Sequence, residues 1–536
     1  MARPMPARRL DRQFERRLAG LVNAREPGVL SGGRKGIERE ALRVTPAGRI
    51  SQAPHPPALG SALTHPHITT DYSEALVELV TPPFTETWEL TQYLCDIHQY
   101  VYRHLRDELL WVASMPCVLD GDAEIPIARY GTSNIGRMKH VYRIGLDVRY
   151  GRMMQAISGV HFNYSFPERL WPVWQAVTEA KQGGQPLVDD AYFALLRNYR
   201  RFGWLILHLF GISPAVCRSF FSGRAVPEGL QPFGKGTLIA PFATSLRMSD
   251  LGYRNKSQAG VHVSVNSLAE YVRDLSRLIT TPHPPYQALG VEVDGEWRQL
   301  NANLLQIENE YYSFIRPKRV AHSGERPTKA LLRAGVQYVE MRSLDVGAWD
   351  PVGINRNKLC FLEAFAALCL LRGSEPLGAE QSASYEANHV RVASRGREPG
   401  LVLWNEPSSQ PLAEWASQLL DEMQGICELL DGADDARPYA TALELQRAKL
   451  DDPAKLPSAR LLAELEREQV SFFDLALSMS RMHRDYFRDL YPPNEARLAE
   501  FATEAADSLE KQREVEAADT LPFGTFVARY FDDALV

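Results

Sequence analysis

The stretch GIEREALR, residues 36–43, carries Glu38 and Glu40 two positions apart. On a strand, successive side chains alternate between faces, so both carboxylates share one side with Leu42, while Ile37, Arg39 and Ala41 share the other. Two like charges so placed need a positive partner, and neither neighbour on their own face supplies one. The same signature recurs. In SEALVELVTP, Glu74, Leu76, Glu78 and Val80 share a face; in AISGVHFNYSF, Gly159, His161 and Asn163 do; in VQYVEMRSL, Tyr338, Glu340, Arg342 and Leu344 do. The opposite faces carry Ala75, Val77 and Leu79, then Val160, Phe162 and Tyr164, then Val339 and Met341, all suited to packing. Carboxylates with one histidine and the oxygen donor Asn163 suit a hard divalent cation, Mg²⁺ or Mn²⁺, better than Zn²⁺ without thiolates.

Each piece also has a plainer reading. A glutamate pair taken alone is usually a wet strand face, and a single histidine is usually a hydrogen-bonded core residue. Glu308 and Glu310 in LQIENEYY repeat the spacing and read equally well as an exposed edge. Taken together, with Arg342 beside Glu340, the runs favour a site for metal and phosphate but name no reaction. Phosphate fingerprints are absent. Gly28 to Gly33 has the P-loop interval, yet Arg34 and Lys35 stand where lysine and Ser/Thr are required, and there is neither a G-x-G-x-x-G before a helix nor a G-x-S-x-G elbow. A bound nucleotide would need metal ions and separate basic residues. IRPKRV, with Arg316, Lys318 and Arg319, is the candidate, and a solvated basic turn is its alternative.

The elements that must position these groups alternate up to about residue 375. The four polar-faced runs, with AGVHVSVNSL and NLLQIENEYY, read as strands, and CDIHQYVYRHLRDELL and DDAYFALLRNYRRFGWLI as helices. After the polar stretch from Gly373 to Glu398 the pattern turns helical, in WASQLLDEMQGICELL, ARLLAELEREQV and EAADSLEKQREVEAA. The fold class is α+β. Residues 1–375 are expected to form a mixed catalytic core, and residues 376–536 a mostly helical region packed on it.

Composition bounds the partners. The chain has 536 residues, 45% hydrophobic and 24% charged, with a formal net charge of -6, which suits a soluble globular protein without the basic footprint of a nucleic-acid binder. Its six cysteines form no C-x-x-C pair and mostly sit in apolar company, as in AALCLL, so buried free thiols in a reducing cytoplasm are expected. The Arg-rich start is interrupted by Asp11 and Glu15 and reads as no targeting peptide, and WLILHLFG is too short to span a bilayer. The expectation is a cytoplasmic monomer acting on small molecules, without nucleic acid or membrane.

Seven blocks in order, GIEREALRV, ALGSALTHPHITTDYSEALVELVTP, ARYGTSNIGRMKHVYRIGL, MQAISGVHFNYSF, FATSLRMSDLGYRNKSQ, LLQIENEYYSFIRPKR and VQYVEMRSLD, resemble glutamate–cysteine ligases of the proteobacterial type. The resemblance implies a curved, mostly antiparallel sheet forming a funnel like that of glutamine synthetases, with surrounding helices. It implies ATP-dependent joining of the glutamate γ-carboxylate to the cysteine amine through a γ-glutamyl phosphate, the first step of glutathione synthesis. By similarity, Glu38, Glu40, Asp71, Glu78, His161 and Glu340 would hold two or three Mg²⁺ ions. Arg342 would stabilise the transferring phosphoryl group. Tyr142, Gln155, Asn163, Arg247, Tyr253 and Tyr312 would bind the amino acids, and Arg316 and Lys318 the nucleotide. Two alternatives stand beside this reading: a ligase of the same fold with a different amine acceptor, and a non-catalytic, metal-stabilised binding protein.

Overall fold

The computed structural model describes residues 11–24, 26, 28–252, 261–322 and 324–532. Its centre is a seven-stranded sheet of β1 (Arg34–Val44), β2 (Ile68–Thr70), β3 (Leu76–Val80), β4 (Leu109–Leu110), β5 (Gly159–Ser165), β6 (Ile315–Lys318) and β7 (Tyr338–Asp345). The strands run in the order β6-β7-β5-β1-β3-β2, with β4 on the far end of β1, and every pairing is antiparallel. The sheet is open, with β6 and β2 at its edges.

Alternation along the strands decides which face meets the core. Ile37, Val160, Phe162, Tyr164, Val339 and Met341 are all buried on one side, in a single apolar cluster. Several helices surround the sheet: α1 (Asn134–Tyr150), α2 (Gln185–Phe202), α3 (Arg356–Leu371), α4 (Leu412–Asp431), α5 (Pro438–Asp451) and α6 (Glu495–Ala518). In α3 every residue from Leu359 to Leu371 is buried, because an all-round apolar helix has no face to offer water. The Asn355 side chain caps its start by accepting the Lys358 amide at 3.0 Å. Helices α2, α4 and α5 enclose α3. On the other half of the sheet, Ala41, Val77 and Leu79 pack with Leu498 and Phe501 of α6. Among the described residues, no helix is long and apolar enough to cross a membrane.

Three sequence expectations fail, each for a physical reason. AGVHVSVNSL is irregular where it is described, at residues 261–267, and α-helical from Leu268. Side chains replace a ladder there: Asp274 accepts the Ser264 amide, and Asn266 bonds both backbone groups of Leu377. NLLQIENEYY forms a 3₁₀ turn at Glu308–Glu310 instead of a strand. The turn lets two buried carboxylates find separate cations, Arg326 for Glu308 and Arg149 for Glu310. The helix in CDIHQYVYRHLRDELL ends at His104, and Leu109–Leu110 pair with β1.

One buried ion pair ties the sheet to its helical cover. Lys35 on β1 lies 2.9 Å from Glu363 on α3, with side chains 2% and 0% exposed. Glu363 also accepts the Tyr164 hydroxyl of β5 at 3.1 Å and the Tyr439 hydroxyl of α5 at 2.7 Å, while Lys35 donates to the Thr85 carbonyl at 2.6 Å. Removing one partner strands the other charge in the core. Glu363→Leu is therefore expected to destabilise the protein by about 3–5 kcal/mol in urea unfolding. A loss under about 1 kcal/mol would show that the pair is not what joins these layers.

Candidate active site

Strand register assembles the polar groups on the second face of the sheet. Glu40 stands opposite Glu78, Glu38 opposite His161, and Asn163 opposite Glu340, which in turn faces Arg316. His161 Nδ1 lies 3.0 Å from Glu38 Oε2 and 3.7 Å from Glu340 Oε1, and its Nε2 lies 3.6 Å from Glu40 Oε1. Asn163 donates to Glu38 at 2.9 Å, and the Gly159 amide donates to Glu40 at 2.6 Å. The partners that GIEREALR lacks locally thus come from across the sheet, as an imidazole, a side-chain amide and a backbone N–H. Glu40, His161 and Glu340 are buried, and Glu38 and Glu78 half-buried.

The charges in this ring do not balance evenly. Burial raises the Glu340 carboxyl, but Lys318, Arg342, His161 and Arg316 outweigh it and hold Glu340 well below its ordinary range. Glu38 is also lowered: burial and Glu340 push it up, and the hydrogen bond and charge of His161, with Lys318, pull it down further. Burial raises Glu40. Glu78 is raised well above its ordinary range, first by burial and then by Glu38, Asp71 and Glu40. The cations cluster at the Glu340 end and leave the Glu78 end short of positive charge. Glu38, Glu78 and His161 offer donor atoms all within 4.8 Å of one another. Asn163 Oδ1 is buried with no hydrogen-bond partner among the described residues. Carboxylate oxygens, one imidazole nitrogen and an unused amide oxygen fit a hard divalent cation.

A β-bulge sets Arg342. Met341 pairs with Phe162, but Leu344 pairs with Val160, so one extra residue is inserted between them. Leu344 therefore turns to the apolar side and joins Val160 in the core, not the polar face that simple alternation predicts. Ahead of that shift, Arg342 stays with the ring and donates to Glu340 at 2.9 Å. Its carbonyl accepts from Arg247 at 3.0 Å. Gly159 makes room for that second guanidinium, since a Cβ there would lie 2.1 Å from Arg247 Nη2.

The remaining expected residues take varied places. Asp71 follows β2 and is half-buried, close enough to raise Glu40 and Glu78 by its charge. Arg247 and Tyr312 converge on the Met248 sulfur, at 2.9 and 3.5 Å. Tyr142 is half-buried on α1, its phenol raised by burial and then by Glu310. Gln155 lies on the 3₁₀ turn Met153–Ala156 that leads into β5. Tyr253 lies outside the described residues. Lys318 reaches Glu340 at 3.5 Å, and Arg316 donates to the Asn309 carbonyl at 3.0 Å. Arg319 instead ties β6 to the Gly335 carbonyl at 2.7 Å. Glu74 does not join the ring: its carboxylate accepts the His55 and Arg129 amides.

Sequence reasoning passed over two basic residues of α1. Arg143 donates to the Asp71 carbonyl at 2.6 Å, beside the Tyr130 hydroxyl, which donates to the same oxygen at 2.9 Å. Burial and Arg143 hold the Lys139 ammonium down to about 8, against the pull of Glu78. Their signal was the i, i+4 spacing in KHVYR, which puts both cations on one helix face beside Tyr142.

Comparison with known proteins follows the same lines. The family model described as glutamate-cysteine ligase matches residues 18–392. The chain is 47% identical over 527 residues to the glutamate–cysteine ligase of Alcanivorax borkumensis, covering 97% of this chain and 100% of that protein. It is 48% identical over 520 residues to the Azotobacter vinelandii enzyme of that name, covering 96% and 98%. The crystal structure of the Francisella tularensis glutamate–cysteine ligase in complex with AMP matches with a TM-score of 0.88 at 35% identity, over 94% of this chain and 98% of that one. A bifunctional glutathione synthetase from Pasteurella multocida shares the fold, with a TM-score of 0.69 at 24% identity over 89% of this chain and 55% of its own. A family match that spans the whole sheet, together with relatives aligned almost end to end, leaves one assignment: the chain belongs to the glutamate–cysteine ligase family.

Proposed function

We propose that this chain joins the γ-carboxylate of L-glutamate to the amine of L-cysteine at the expense of ATP, giving γ-glutamylcysteine, ADP and phosphate. The observation that carries the reading is Glu340 between Arg342 at 2.9 Å and Lys318 at 3.5 Å, at the cationic end of a carboxylate ring. A structural ion site gains nothing from a guanidinium at its edge, whereas phosphoryl transfer needs one. Mg²⁺, two or three ions held by Glu38, Glu40, Asp71, Glu78, His161 and Glu340, with Mn²⁺ also suited to the set, would offset the repulsion between the γ-carboxylate and the triphosphate.

The protein's own groups do the rest. Arg342 supplies two parallel N–H donors where charge accumulates on the transferring phosphoryl group. Lys318 and Arg316 hold the nucleotide phosphates, and Tyr142, Gln155, Asn163, Arg247, Tyr253 and Tyr312 shape the amino-acid pockets. A glutamate γ-oxygen attacks the γ-phosphorus and ADP leaves; the cysteine nitrogen then attacks the acyl carbon, phosphate leaves with that oxygen, and the amine gives up a proton. No protein nucleophile is required. Five cysteines are buried and Cys95 is half-buried, and burial raises the Cys360 thiol to about 11 and that of Cys427 to about 12. Within this reading, residues 1–375 carry the chemistry, residues 376–536 brace them, and the enzyme works as a cytoplasmic monomer.

Three measurements test this. Glutamate labelled with heavy oxygen in its γ-carboxylate is expected to deliver label to inorganic phosphate in proportion to dipeptide formed. Label in AMP, or unlabelled phosphate beside normal product, would refute an acyl phosphate. Arg342→Lys keeps a charge but loses the planar fork, so turnover is expected to fall by about 10² or more with a smaller change in glutamate KM. An equal loss in glutamate binding would move Arg342 into the substrate pocket. Glu78→Gln and His161→Ala are each expected to shift the midpoint of Mg²⁺ activation upwards or to abolish activity. Two unchanged titration curves would sink the ring as the metal site.

A further inference from the structure

Helix α1 has two polar faces. With about 3.6 residues per turn, Lys139, Tyr142 and Arg143 fall on the side of Asp71 and Glu78, while Arg137, Val141 and Ile144 share the opposite side. That opposite side, with Tyr130 and the turn before Trp297, lines a recess of about 270 Å³. The volume lies just under the roughly 300–1,000 Å³ typical of small-molecule sites. Arg129, Arg137 and Trp297 bring side-chain N–H groups to its lining, and none of the three makes a side-chain hydrogen bond or ion pair among the described residues. Arg129 and Arg137 are exposed and Trp297 is half-buried, so these donors are open to a ligand arriving from solvent. Both walls are held in place. Gly131 lies so close to α6 that a Cβ there would meet Gln512 and Glu516, and Glu516 accepts the Thr132 amide at 2.8 Å. Across the opening, Glu296–Trp297 pair with Glu292–Val293 in a hairpin, and the Trp297 ring packs edge-on against Phe523 at 5.1 Å.

We infer that this recess is a second small-molecule site, outside the carboxylate ring, and that it takes an organic anion bearing a planar aromatic group. Two guanidiniums against the single carboxylate of Glu296 leave the lining net positive, and guanidinium meets carboxylate, sulfonate or phosphate oxygens with paired N–H groups. The Trp297 indole adds a donor that carries no charge. Tyr130, Trp297, Val141 and Ile144 supply the apolar surface that a flat group covers. Arginines on a convex helix face usually stand in water, but these two border a concavity whose aromatic walls come from separate segments. The recess also meets the carboxylate ring through one residue. The Tyr130 hydroxyl lies 2.8 Å from the Thr70 carbonyl and 2.9 Å from that of Asp71, and its aromatic ring lies under the Arg143 guanidinium at 4.6 Å. An occupant of the recess therefore rests on the side chain that backs Asp71 without entering the carboxylate ring.

The full-length protein is titrated calorimetrically with 1-naphthalenesulfonate, and with two controls. Methanesulfonate keeps the anion without the aromatic group, and 1-naphthalenesulfonamide keeps the aromatic group without the charge. One equivalent of 1-naphthalenesulfonate is expected to bind, at least about tenfold more tightly than either control. Arg129→Glu and Arg137→Glu are each expected to weaken it at least about tenfold. Binding is expected to persist in saturating Mg²⁺, ADP and glutamate. Arg137 also lies over the Phe523 ring at 4.4 Å; should its variant fail to fold, Arg129→Glu, at an exposed side chain without a hydrogen bond, decides the location. Four results would each overturn the inference: no binding by the wild type, a control that binds as tightly, displacement by ADP and glutamate, or an unchanged affinity in folded Arg129→Glu. The titration requires no turnover, so its outcome is independent of the ligase reading.

Discussion

Crowding of like charge on one face of a sheet is the constraint on which the rest of this protein depends. Glu78 on β3, Glu38 and Glu40 on β1 and Glu340 on β7 share that face, with His161 and Asn163 of β5 between β1 and β7. Desolvation makes such a set costly, since each buried carboxylate resists ionisation. The strands tolerate it because their other face is buried in a large apolar core, and because the ladder itself supplies donors such as the Gly159 amide. The result is polarised. Cations gather at Glu340, and the deficit of positive charge is left around Glu78, where a bound cation would offset the most repulsion.

The ring was legible in the sequence because strand alternation is a strict rule of two, and GIEREALR, SEALVELVTP, AISGVHFNYSF and VQYVEMRSL each obeyed it over the residues that matter. It failed where the backbone departs from that rule. Leu344 sits past a bulge, and an inserted residue leaves no trace in a hydrophobic pattern. The turn at Glu308 has the same spacing as the true strands, and only the distant Arg326 and Arg149 reveal that its carboxylates point to separate partners. Individual ligand roles came from resemblance to a family, because spacing alone cannot separate a carboxylate that holds an ion from one that holds a neighbour. Three of the C-terminal helices were plain from their periodicity, but the helix Ala379–Arg395 inside the stretch read as polar was not, and nor was the ion pair that joins the sheet to its helical cover. Lys35 and Glu363 are far apart in sequence and sit in unremarkable company.

That link gives the helices a part beyond covering apolar surface. Lys35 is on the strand that carries Glu38 and Glu40, and its partner Glu363 is bonded in turn by Tyr439 of α5. The same strand is thus fixed from beneath by a buried ion pair while its upper face concentrates carboxylates. Rigid support of this kind matters for phosphoryl transfer, where misplacing reacting groups by about 1 Å can cost 10² in rate.

The close approach of Gly159 and Arg247 makes the two positions sterically dependent. Residue 159 lends its backbone amide to Glu40 and its missing side chain to a guanidinium 2.1 Å from where a Cβ would stand. A side chain at 159 would require the Arg247 guanidinium to move aside or residue 247 to be shorter. The dependence runs one way: a side chain added at 159 is better accommodated when residue 247 is shorter, whereas loss of the arginine leaves nothing for a change at 159 to repair.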